Sequence, residues 1–333
     1  MTFLPILWVS TAIASSPMAH PHSDHAKHML GSTRPLAHPI PTPTTDRVTV
    51  YGYIPDWISN PLDVDFDSLT HAAWFNVALD ETGNAIDTSS WLSHAAELTE
   101  KAHAVDTKVH LTVALFDEET QAFVLSNPTH RATAVSQLAD LVNSHGADGV
   151  NVDLEGTAAA QKDDLVQFVI ELKAEVDEVY LATPAVDWAG AYDYDLLALY
   201  SDGLFIMGYG YHWSGGDPGP VAPLFGGDPW SIYALDWTLE DYRTWGATDD
   251  KIVMGLPLYG REWPSVDDSI PGVSTGTSSA ITMVNAIEET AGFDYRYDAI
   301  SETPWAWTGS SQLWYDDHHS VETKLRWSVD QGI

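Results

Sequence analysis

Seven short β-rich runs, separated by stretches of helical length, constrain this chain more than any other feature. The runs are VTVYGYI (48–54), THAAWFNV (70–77), KVHLTVAL (108–115), GVNVDL (149–154), VYLATP (179–184), GLFIMGY (203–209) and KIVMGLPL (251–258). Amphipathic segments at 89–104, 129–145, 159–177 and 236–246 lie between them. Strands that alternate with helices build a parallel sheet from βα units. The 333 residues, 44% of them apolar, are enough for one large barrel with a buried core. The spacing therefore predicts an α/β fold, a (β/α)8 TIM barrel. Residues 264–310 lose the rhythm and are rich in Gly, Ser, Thr and aromatic residues, which predicts an insertion after strand 7. A helix resumes over 320–331, and an eighth strand is due where the sequence stops at Gly332-Ile333, so a barrel truncated before strand 8 is expected. An open doubly wound sheet is the competing topology, and no Gly-rich phosphate loop supports it.

The run FLPILWVSTAIA (3–14) ends in Ala12-Ile13-Ala14, the small-x-small form of a signal-peptidase site, and is too short to span a bilayer. It predicts a signal peptide over 1–14 and a protein that is secreted or held in the cell envelope. Residues 15–46, rich in Pro, Ser, Thr and His, read as a linker to a catalytic-sized barrel at 47–333. His22, His25 and His28 in that linker lack acidic support and are read as no metal site. With 48 acidic against 14 basic residues the formal charge is −34, which leaves no basic stripe for nucleic acid or an anionic membrane and favours a neutral ligand. Zero cysteines exclude disulfides, thiolate catalysis and Cys-based zinc sites. Fourteen tryptophans exceed what a core needs and suit a cleft that stacks rings on sugar faces.

The chemistry concentrates in Asp148-Gly149-Val150-Asn151-Val152-Asp153-Leu154-Glu155. Side chains alternate along a strand, so Asn151, Asp153 and Glu155 share one face, with Glu155 nearest the C-terminal end, the catalytic rim of a barrel. Carboxylates there are costly without a purpose. The readings open to them are a rim hydrogen-bond network, a divalent metal site, or acid–base work. Metal sites in barrels gather carboxylates from several strand ends, and the third, fifth and sixth strands end in VALF, TP and YGY. For glycosidic cleavage, Glu155 can protonate the leaving oxygen. Asp153, on the same side, cannot flank the anomeric carbon from the opposite face. A 2-acetamido sugar supplies its own nucleophile, the amide carbonyl oxygen, which a neighbouring Asp can orient.

These residues resemble the strand-four signature Asp-x-x-Asp-x-Asp-x-Glu of glycoside hydrolase family 18, with Asn151 in place of the second Asp. GYIPDW (52–57), LTHAAWFNV (69–77), MGYGYHW (207–213), GPVAPL (219–224), GLPLYGREW (255–263) and WYDD (314–317) are similar to further family motifs, in order across about 47–333. GPVAPL and LPLYGR resemble the spore-germination, cortex-lytic branch. The resemblance implies a retaining glycosidase acting on N-acetylglucosamine-containing glycans (chitin, chito-oligosaccharide or peptidoglycan), as a monomer without metal or cofactor. It makes Glu155 the acid and base, Asp153 the holder of the acetamido group, and Tyr209 a donor to its carbonyl. Asp148, Asn151 and Met207 are implied to support the substrate site. Tyr51, Tyr53, Trp57, Trp74, Tyr211, Trp213, Tyr259 and Trp263 are candidate sugar-stacking or rim residues, and Arg261 a candidate cleft donor. Gly210 stands where the family carries an Asp, and TVALF (112–116) replaces Ser-x-Gly-Gly. A glycan-binding protein of the same fold is the alternative.

Overall fold

The computed structural model of the protein describes residues 48–333. The expected signal segment (1–14) and linker (15–46), with its histidines, lie outside the described residues. The described chain forms two compact units, one of 48–205 and Thr244–Val253, the other of Ile206–Arg243 and Met254–Ile333.

The first unit is built on the expected sheet. Its strands are β1 (Tyr51–Pro55), β2 (His71–Leu79) with a short antiparallel partner β3 (Ala85–Ile86), β4 (Lys108–Leu115), β5 (Gly149–Leu154) and β6 (Glu178–Pro184), and it holds the starts of β7 (Gly203–Met207) and β8 (Ile252–Gly255), whose last residues belong to the second unit. They stand in the order β1-β2-β4-β5-β6-β7-β8, parallel from β1 to β6, and each expected run holds one of them. No eighth strand of this order lies among the described residues. Between the strands run α1 (Ser89–His103), α2 (Glu118–Ser126), α3 (Pro128–Asn143), α4 (Lys162–Lys173) and α5 (Tyr194–Tyr200). Asp117 caps α2 by accepting from Thr120 N at 2.8 Å, and Asn127 caps α3 with Pro128 opening the first turn. The spacing missed α2 and α5 because nine and seven residues are too few for a periodic stripe to show.

Alternation along β5 sends Val150, Val152 and Leu154 to one face and Asn151 and Asp153 to the other, all buried. That second face carries a cluster of rings, with Tyr53–Phe205 centroids 5.0 Å apart and Tyr51–Tyr180 and His71–His110 each 5.2 Å apart. Glycine makes room for it. A Cβ at Gly149 would stand 2.3 Å from the Glu178 carbonyl oxygen, and one at Gly203 2.3 Å from the Tyr180 ring.

The second unit contains α6 (Leu235–Thr244) and an antiparallel sheet of β9 (Tyr259–Pro264), β10 (Ser279–Thr282), β11 (Arg296–Asp298), β12 (Thr303–Trp307) and β13 (Ser311–Trp314), in the order β10-β9-β13-β12-β11. Helix α7 (Met283–Thr290) follows β10, and α8 (His318–Gln331) ends the chain. This sheet spans Tyr259–Trp314, wider at both ends than the expected insertion at 264–310, because its bracketing strands β9 and β13 pair with one another. Its core is aromatic. Trp305 lies flat on Trp314 at 5.1 Å and 5°, Trp230 meets Trp314 edge-on, and Trp263 is fully buried beside them. Much of the tryptophan surplus that suggested a sugar cleft is spent here on packing.

Helix α8 starts in a capping box between Asp317 and Ser320. One turn on, Lys324 is wholly buried, and its ammonium donates to Asp316, itself 1% exposed, and to Thr303 Oγ1 at 3.3 Å. Burial pulls the Lys324 ammonium below its ordinary pKa, while Asp316 opposes that pull. Replacing Lys324 by Met strands a buried carboxylate, so K324M is expected to lose about 3–5 kcal/mol of stability, read as a lower urea midpoint at unchanged slope.

Candidate active site

Strand β5 delivers its polar face to one point. Asn151 is fully buried and accepts from the Tyr53 hydroxyl at 3.2 Å; Asp153 is 4% exposed, and Glu155 follows directly after the strand. Asn151 Nδ2 and Asp153 Oδ1 are buried without a hydrogen-bond partner. Buried polar atoms of this kind are places for a ligand's polar groups to complete.

The backbone around Glu155 is held from three sides. Its N–H donates to Leu115 O at 3.2 Å, which extends the ladder with β4. Gln121 Nε2 donates to Glu155 O at 2.7 Å and to Leu115 O at 2.8 Å, and Thr157 donates to Gln121 Oε1 at 2.8 Å. Tyr192 donates to Leu154 O. Gly156, at φ +74°, then turns the chain away from the strand. Gln121, Thr157 and Tyr192 are positioning residues that no motif revealed, since they meet Glu155 only through its backbone and its neighbours'.

Burial raises both carboxyls. Asp153 is pushed well above the usual carboxylate range by desolvation and then by the charge of Glu155, and desolvation lifts Glu155 to about 7. A carboxyl poised near neutrality can give a proton and take one back.

The other expected site residues divide. Asp148 is corrected: it sits at the N-terminal end of β5, roughly 20 Å of strand from Glu155, where its Oδ2 accepts from Val109 N at 2.7 Å and contacts His103 Nε2 at 2.8 Å. That is a sheet-edge bond, not a substrate contact. Trp74 is corrected as well, because strand alternation turns it to the opposite face from Asp153's, where it is fully buried and stacked on His94 of α1. Tyr51 and Tyr53 belong to the ring cluster, Tyr51 through its 2.9 Å contact with His110 Nδ1. Trp57 is 52% exposed with its edge on Phe75, in keeping with a rim residue.

In the second unit, Met207 ends β7 half-buried, and Tyr209 packs edge-on to Tyr259 at 6.0 Å against the tryptophan core. Tyr211 is half-buried, its hydroxyl bonded to Thr238 Oγ1 at 2.6 Å. Trp263 is corrected to a core residue, fully buried and donating to Trp213 O at 3.3 Å, while Trp213 itself stays 39% exposed. Arg261 donates to Ser278 Oγ at 3.1 Å and keeps a buried Nε without a partner. Gly210 has φ +81° with open space where a Cβ would stand, so its glycine suits the backbone there.

One exposed aromatic escaped the sequence reading. Trp188, just beyond β6, is 50% exposed, and the loop carrying it is tied down by Asp187, which accepts from the backbone of Gly190, Ala191 and Tyr192. The signal available was its place two to four residues past a strand end, where barrels carry their sites.

The model of glycosyl hydrolases family 18 matches residues 49–333. The chain belongs to this family. It is 30% identical over 236 residues to YdhD of Bacillus subtilis (strain 168), a candidate sporulation-specific glycosylase, across 66% of this chain and 53% of that protein. The chain thus spans about half (53%) of the length of that curated relative. The crystal structure of YdhD matches with a TM-score of 0.67 at 27% identity, covering 78% of this chain and 87% of that one. The Bacillus cereus spore cortex-lytic enzyme SleL matches at 0.71 and 18% identity, covering 86% and 69%. A family 18 chitinase of Cycas revoluta, solved with (GlcNAc)3, matches at 0.78 and 18%, covering 85% and 92%. These likenesses bear out the (β/α)8 barrel class, and the likeness to YdhD agrees with the spore-germination branch that the GPVAPL and LPLYGR motifs suggested.

The lifted Glu155 carboxyl has a consequence for stability. A carboxyl whose pKa is higher folded than unfolded opposes folding once it ionises, so stability falls as pH rises from about 4.5 to about 7 and is level above. The stability difference between Glu155→Gln and the parent is therefore expected to grow in favour of the variant across that window. Urea midpoints at stepped pH check this, and a difference independent of pH counts against it.

Proposed function

We propose that this protein hydrolyses β-1,4 glycosidic bonds next to N-acetylglucosamine, with retention, through substrate-assisted catalysis. The observation that carries the reading is the pair Asp153, buried, and Glu155, half-buried, on one face and at one end of a single strand with both carboxyls raised. Carboxyls so placed lie on one side of a bound sugar and cannot flank its anomeric carbon. In this reading the acetamido carbonyl oxygen attacks the anomeric carbon while Glu155 gives its proton to the departing oxygen. Asp153 orients the amide and balances the oxazolinium cation. Water then attacks the anomeric carbon, Glu155 takes back the proton, and the β configuration is kept. Tyr209 enters through the family motif alone. The structure of a relative with (GlcNAc)3 supports the sugar, and the formal charge of −34 favours a neutral polymer such as chitin over an anionic wall. The apolar run at 3–14 supports export.

Glu155→Gln is expected to lower turnover of a fluorogenic di-N-acetylchitobioside by about 10²–10⁴-fold with sugar binding retained. Because Glu155 must carry its proton as acid, the parent's rate is expected to fall as pH rises through about 7. A thiazoline mimic of the oxazolinium is expected to inhibit; indifference to it removes the acetamido group as nucleophile.

Gly210, where relatives carry an Asp, favours a second reading, a glycan-binding protein that does not cleave. Binding of chito-oligosaccharide without any hydrolysis by the folded chain decides for it. On either reading Trp188 offers a half-exposed ring to a sugar face. Trp188→Ala is expected to weaken chito-oligosaccharide binding about tenfold, measured by calorimetry, through lost apolar burial.

A further inference from the structure

At the end of the sheet opposite Glu155, three side chains from three strands converge. His71 opens β2, His110 is the third residue of β4 and Glu178 opens β6, and one ligand atom from each lies within 4.8 Å of the others. His110 and Glu178 flank Gly149 in register, and the missing side chain at Gly149 lets the Glu178 backbone approach closely. Glu178 Oε2 stands 3.3 Å from His71 Nε2 and 3.1 Å from His110 Nε2. Donors bonded tetrahedrally to one ion at about 2.0–2.1 Å are about 3.3–3.4 Å apart.

The hydrogen bonds behind the histidines orient them. The Thr70 hydroxyl donates to Val50 O at 3.0 Å and accepts from Val50 N at 2.9 Å. It also lies 2.8 Å from His71 Nδ1, on the far side of that ring from Glu178. His71 Nε2 is buried and faces the Glu178 carboxylate oxygen. His110 has an oxygen behind it as well, the Tyr51 hydroxyl at 2.9 Å from Nδ1. Oxygen partners on the far ring nitrogen are the usual support of metal-bound histidine. Lys108 occupies Glu178 Oε1 and leaves Oε2 to the site.

We infer that His71 Nε2, His110 Nε2 and Glu178 Oε2 form a binding site for a divalent transition-metal ion of the zinc class. Two imidazole nitrogens and one carboxylate oxygen suit such an ion and not magnesium or calcium, which take oxygen. Bound there, the ion ties β2, β4 and β6 together at the end of the sheet away from Glu155. This site lies at the opposite end of the strands from the VALF, TP and YGY ends that were weighed for a metal.

The test uses the full chain with His20, His22, His25, His28 and His38 replaced by Ala, so that the N-terminal histidines take no part. One equivalent of Zn²⁺ per chain is expected by calorimetry, with a thermal midpoint that rises with free Zn²⁺. Glu178→Gln and His110→Gln are expected to abolish both. No bound equivalent, or one that survives these substitutions, overturns the site. Should the variants not fold, Co²⁺ added to the tail-substituted chain decides. It is expected to broaden the amide resonances of His71, His110 and Glu178 before those of His318 and His319, and the reverse order overturns the inference.

Discussion

The structure depends on the cost of keeping polar groups on the buried face of a parallel sheet. Helices cover the opposite face, and Val150, Val152 and Leu154 meet that requirement with apolar side chains. The face of Asn151 and Asp153 is different, since it carries carboxyl, amide, imidazole and phenol groups along its length. Each must find a partner or remain poised for one. At the N-terminal end, Glu178 finds Lys108 and His110, and these together with His71 hold its carboxyl well below the usual range against the opposing effect of burial. At the C-terminal end, Asp153 and Glu155 find no cation, and burial lifts both. One sheet face therefore holds a depressed carboxyl at one end and two raised carboxyls at the other.

This contrast separates structure from chemistry. Asp148 and Glu155 sit in the same eight-residue signature, yet Asp148 bonds the neighbouring strand's backbone and Glu155 extends beyond the last rung of the ladder. The signature is thus two features in one: an acid that ties a strand start, and a pair of raised carboxyls at its end. Gln121, Thr157 and Tyr192 stiffen the turn behind Glu155, which fixes that residue's place without touching its carboxyl.

The aromatic residues follow a similar division. Trp263, Trp305 and Trp314 fill the second unit's core, where an antiparallel sheet needs bulk between its strands and its neighbours. Trp57, Trp188 and Trp213 keep substantial exposed area. Composition reports only their sum. A tryptophan's role follows from which face of which strand or loop it leaves, and Trp74, one residue out of phase with the ring cluster, illustrates it.

The sequence by itself determined the βα rhythm, the seven strand positions and the face shared by Asn151, Asp153 and Glu155, because these follow from local periods of hydrophobicity and of side-chain direction. The family motifs were legible for the same reason, as short contiguous strings. Helices α2 and α5 were not, being too short for a period, and the sheet at Tyr259–Trp314 was read only as an insertion because its strands carry no alternating pattern. The tertiary structure alone decided that Trp74 and Trp263 are core, that Trp188 is exposed, and that His71, His110 and Glu178 meet. Contacts between strands far apart in sequence depend on register and on which neighbour is a glycine, and burial sets the pKa values; neither quantity is a property of any local string.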